Sequence, residues 1–135
     1  MKLNFVEISY FLKWLRRPSH GIERRYTVRV ADEASKVYND IYDKREKILD
    51  KYIQKDKEGK PEMEKDGKLF KIKKGKDEVA KKEVTDLIAV DFEIPIDKKY
   101  LNVLYSFLDK YPFDMEEEEG RMYDAVMSKL EKIKK

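Results

Sequence analysis

The chain has 135 residues, 41% of them hydrophobic and 44% charged, with a net charge of +3 and no cysteine. That is enough apolar material for one domain with a modest core, residues 1–135. The missing cysteines exclude disulfides, thiol nucleophiles and Cys-ligated metals. No apolar run approaches the ~18 residues of a membrane span, and the N-terminus lacks the order of a signal peptide, so a soluble, cytoplasmic protein without membrane contact is expected.

Leu3–Leu15 reads as a first helix. Leu3, Val6, Phe11 and Trp14 recur at helical spacing, and Asn4 is available as an early cap. "RRPSHG" (16–21) is the connector that ends it. A second helix runs from Ile22 to about Ile53, with Val30, Ala34, Val37, Ile41 and Ile48 forming a near-heptad seam. At 1.5 Å per residue a helix of ~30 residues runs ~45 Å, longer than a compact domain of this size requires.

Gly59 and Pro61 break that helix. Asp66-Gly67 then marks a hairpin between "PEMEK" and "KLFKIK", where Phe70 and Ile72 alternate with lysines. A helix over 76–90 follows, with Asp77 as its cap and Val79, Val84, Leu87 and Ile88 inward. "VDFEIPI" (90–96) alternates as a strand, and Pro95 assigns it to an edge. It is the natural third strand for the ribbon. Asp97 caps a helix to about Tyr111. Asp114 caps the last, whose first turns hold Glu116–Glu119, where the helix dipole favours negative charge.

The expected fold is α+β and mostly helical, in the order α-α-β-β-α-β-α-α. One long central helix carries shorter packing helices and a small antiparallel sheet of two to three strands.

Motif-based chemistry is sparse. No glycine-rich phosphate loop is present. The one histidine, His20, lies in a turn without a nucleophile motif beyond Ser19. Consecutive helical glutamates fan around the axis instead of converging on a metal. No catalytic residue, metal or cofactor is expected.

The conspicuous feature is "LRRPSHGIERRYTVRV" (15–30). Five of the seven arginines lie between Arg16 and Arg29, where there is no lysine, and residues 1–30 carry net +5 against −3 for 91–135. Arginine presents a planar fork suited to phosphate or carboxylate. Trp14, Arg16, Arg17, His20, Arg24, Arg25, Tyr26 and Arg29 are therefore the candidate surface for a protein partner or a nucleic acid. The bland alternative is internal pairing. Arg29 could meet Glu33, Arg25 could meet Asp32, and the acidic last helix could fold onto the basic head.

Taken in order, "FVEISYFLKWL", Arg25 and Arg29, Arg45 through Tyr52, Asp56 through Pro61, "GKLFKI", "VDFEIPI" and Tyr123-Asp124 resemble a family of small phage and prophage proteins of Gram-positive bacteria, grouped as a domain of unknown function. The resemblance implies a phage setting and carries no catalytic residues. The readings that follow are a non-enzymatic adaptor or inhibitor binding a host protein, such as a defence or nucleic-acid-processing enzyme, or a virion component; a nucleic-acid binder using residues 16–29; and a homodimer through the seam.

Overall fold

A computed structural model of the chain describes residues 1–63 and 70–134. Its elements are β1 (Lys2–Leu3), α1 (Phe5–Leu15), α2 (Gly21–Tyr52), α3 (Asp77–Ala89), β2 (Phe92–Glu93), α4 (Lys98–Asp109) and α5 (Glu117–Lys134). The mostly helical α+β class is as expected. The chain divides into two compact units, residues 1–39 with 90–135, and residues 40–89. α2 contributes residues to both, which is where its excess length goes.

In the first unit, Asn4 caps α1 through a reciprocal box. Its Oδ1 accepts the Glu7 N–H at 2.9 Å, and Glu7 Oε1 accepts the Asn4 N–H at 3.0 Å. Two orphan donors of the first turn are thereby satisfied. The box holds Leu3 out of the helix, and Leu3 pairs instead with Phe92 in an antiparallel β1–β2 sheet. The strand over 90–96 thus joins the N-terminus, not the ribbon. Ile94 N–H donates to Met1 O at 2.7 Å and extends the pairing.

α5 packs on α1 and α4. The core they enclose is Phe11, Trp14 and Leu15 of α1, Leu104 and Leu108 of α4, and Val126 and Leu130 of α5, all buried. At roughly 1.5–3 kcal/mol per fully buried large apolar side chain, this stripe is the main cohesive term of the unit. Glu7 is buried with it and is neutralised by Lys129 Nζ at 3.0 Å.

Asp97 caps α4 as expected, accepting the Lys99 N–H at 3.1 Å. α5 begins at Glu117, three residues after Asp114. Its first turn holds three glutamates, so the charge signal located the turn but not the cap.

In the second unit the ribbon's third segment comes from the residues that follow α2. Bridges join Ile53 to Ile72, Lys55 to Pro61 and Met63 to Phe70. Three backbone bonds close a ring: Gln54 N–H to Lys71 O, Lys71 N–H to Glu62 O, and Glu62 N–H to Gln54 O, at 2.7, 2.8 and 2.8 Å. Each segment serves the other two, which is how so short a ribbon satisfies its backbone without strand 90–96.

The turn between its first two segments is built on Asp56, whose Oδ1 accepts the Glu58 and Lys60 N–H groups, and on Gly59 at φ +82°. The left-handed φ suits glycine. The expected Asp66-Gly67 turn lies outside the described residues. α3 is held to the end of α2 by Glu83, which accepts Tyr52 Oη–H at 2.5 Å and pairs with Lys51 at 3.0 Å. Those two bonds hold the Glu83 carboxyl below the usual carboxylate range, the tyrosine bond foremost. Ala80, not Val79, is the buried residue of α3; Val79 is exposed.

Candidate partner-binding surface

The arginine window divides. Trp14 is fully buried, so it offers no face to a partner. A buried indole N–H needs an acceptor. It donates to Glu119 Oε1 at 3.0 Å, and Lys13 Nζ meets the same carboxylate at 2.9 Å. Lys13 and Trp14, in that order, hold the Glu119 carboxyl below its ordinary range. The acidic helix does fold onto the basic head, but through Lys13 and Trp14 and not through an arginine.

Arg17 and Arg24 serve helix ends. Arg17 donates to Phe107 O at 2.6 Å and Lys110 O at 3.2 Å, and its guanidinium lies 4.1 Å from the Phe107 ring centre. Those are carbonyls at the C-terminal end of α4. Arg24 donates to Leu15 O at 3.3 Å and Arg17 O at 3.4 Å, at the end of α1. The last carbonyls of a helix have no intrahelical donor and carry its negative dipole end. Arg17 spreads its planar fork over two carbonyls, one on each Nη, a geometry that an ammonium on one stem matches poorly, and Arg24 reaches both of its carbonyls from Nη1.

Arg29 donates to Tyr100 Oη at 2.7 Å, and the Tyr100 ring lies tilted against Tyr26 at 4.3 Å between centres. The Arg29 bond lowers the Tyr100 phenol below its ordinary pKa. Glu33 pairs with Lys36 instead of Arg29. Arg16, His20 and Arg25 are exposed and make no side-chain hydrogen bond or ion pair among the described residues. The window therefore does not converge on one open surface. The seam residues Val30, Ala34 and Ile41 are likewise buried within one copy of the chain.

The concave surface of the first unit lies beside the window. A groove of about 1000 Å³ runs along α2. Arg29, Asp32 and Lys36 form one wall, and Pro95, Ile96 and Tyr100 the other. Most of its charges are already used: Glu93 by the Met1 amino group at 3.0 Å, Asp97 by the α4 cap, Glu33 by Lys36. Asp32 has no such partner among the described residues.

The groove thus offers an apolar wall and one unspent carboxylate. Its residues were legible only as the solvent face of α2 and an edge proline; their convergence needs the β1–β2 pairing. No His, Cys, Asp or Glu group suited to a metal is present among the described residues, and no described helix is long and apolar enough to cross a membrane. Comparison with family models, with curated proteins and with solved structures found no match to this chain.

Proposed function

We propose that this is a non-enzymatic interaction protein that takes a segment of a protein partner into the groove beside α2. The observation that carries the reading is the groove itself: peptide-sized, walled by Pro95 and Ile96, with the Asp32 carboxylate unspent. A segment presenting an apolar side chain and a cation fits that pattern, since buried apolar contact supplies affinity and one charge fixes register. The phage setting implied by the resemblance makes a host protein or a virion component the class of partner. Arginine-based nucleic-acid binding is not favoured, because Arg17, Arg24 and Arg29 are engaged within the chain.

The test is site-specific photocrosslinking in the producing cell. A crosslinker at Lys36 should trap a discrete protein adduct, and one at exposed Asn102 on α4 should not. Ile96→Asp and Asp32→Arg should each remove the adduct while leaving the circular dichroism unchanged. An adduct that survives both substitutions excludes the groove as the binding surface.

A further inference from the structure

The second unit carries an unabsorbed feature. Residues 71–76, "KIKKGK", hold four lysines and no acid. Lys71 is 3.8 Å from Glu62. Lys73, Lys74 and Lys76 are exposed and make no ion pair among the described residues. Immediately before them Phe70 is 50% exposed, paired across the ribbon with Met63, itself 38% exposed. An aromatic ring held half in solvent on a backbone-bonded ribbon presents apolar area to whatever approaches that side.

We infer that this lysine-flanked ribbon is a binding site for single-stranded nucleic acid, with Phe70 stacking on a base and Lys73, Lys74 and Lys76 on the phosphates. Two features favour that occupant. A ring with an open face stacks on any unpaired base and cannot do so on a closed duplex. Lysine is depleted at protein interfaces but serves phosphates well as a point charge. Two exposed apolar side chains are too little area for a membrane surface. Asp77 and Glu78, which open α3, end the basic run and limit the site to a few nucleotides. This site is independent of the groove beside α2.

Fluorescence anisotropy of the full chain with a labelled oligothymidylate tests it. Binding should be seen at low ionic strength and weaken with salt at a log–log slope of about −2, from roughly −0.7 for each of three phosphate contacts. Phe70→Ala should weaken it about tenfold, the cost of one lost base stack. The triple change Lys73→Gln, Lys74→Gln, Lys76→Gln should bring the slope close to zero. Arg16→Gln with Arg25→Gln should change nothing. Circular dichroism of each variant confirms that the fold is kept. No binding at low salt, duplex bound as tightly as single strand, anionic vesicles or polyglutamate bound in preference, or loss in the arginine variant instead of the lysine variant would each overturn the proposal.

Discussion

Two basic stretches invite comparison, the arginines of residues 16–29 in the first unit and the lysines of residues 71–76 in the second. Both look like contact surfaces when read as charge. In the first, Arg17 and Arg24 each donate to two backbone carbonyls at helix ends, and Arg29 donates to a phenol. In the second, Lys73, Lys74 and Lys76 are exposed and make no ion pair among the described residues. The difference follows from side-chain shape. A guanidinium is weakly hydrated and forked, so a protein can spend it internally on paired acceptors; an ammonium is strongly hydrated and stays in water. A dense run of arginines is therefore poorer evidence for an external partner than its charge suggests.

The sharpest way to break the contrast is at Trp14, the fully buried residue that precedes the arginines and meets Tyr123 edge-on. Trp14→Ala should cost about 3–5 kcal/mol, as for other large core truncations. Chemical denaturation followed by circular dichroism measures it; a loss below 1 kcal/mol contradicts the burial. Trp14 is also the only tryptophan, so fluorescence excited beyond the tyrosine band reports the first unit.

Next comes Arg17→Lys, which keeps the charge and removes the fork. It should lower stability by about 1 kcal/mol, the net worth of one hydrogen bond, because the Phe107 contact is part-buried and the Lys110 contact exposed. A neutral result means that charge alone suffices at the end of α4.

A smaller effect is expected for pH. The folded Glu119 carboxyl is held below its ordinary value of 4.5, so its contribution is complete above that value and is lost as pH falls through the lower folded one. Glu83 is shifted the same way, chiefly by its bond from Tyr52. Glu119→Gln should therefore flatten the acid limb of fluorescence-detected stability without abolishing the acid dependence seen by circular dichroism, which also includes the second unit. An acid limb unchanged by the substitution removes Glu119 from the account.

The smallest effect closes the comparison. Lys74→Gln and Arg25→Gln, both exposed, should each move stability by less than about 0.5 kcal/mol. A larger loss at Lys74 means that the lysine run is structural after all.

Local signals carried much of the fold. Apolar spacing located α1, α2, α4 and α5 to within a few residues, and Asn4 and Asp97 were identifiable as caps because capping is decided within one turn of chain. Strand partnership was not legible in the same way. "VDFEIPI" announces a strand but not which edge it joins, because two-residue pairings are chosen by whichever backbone is brought alongside. The first unit brings Lys2–Leu3, and the ribbon uses Ile53–Lys55 instead. The groove depends on that choice, so Pro95 and Ile96 read as an edge and not as a wall.

By itself, then, the sequence determined the helices, the Asn4 and Asp97 caps, the buried stripes of α1, α4 and α5 and where the charges lie along the chain. Those properties depend on neighbours within a few residues. Only the tertiary structure decided which charges are spent. An arginine's partner is set by which carbonyl arrives within hydrogen-bond distance, and Phe107, 90 residues from Arg17, is brought there by packing alone.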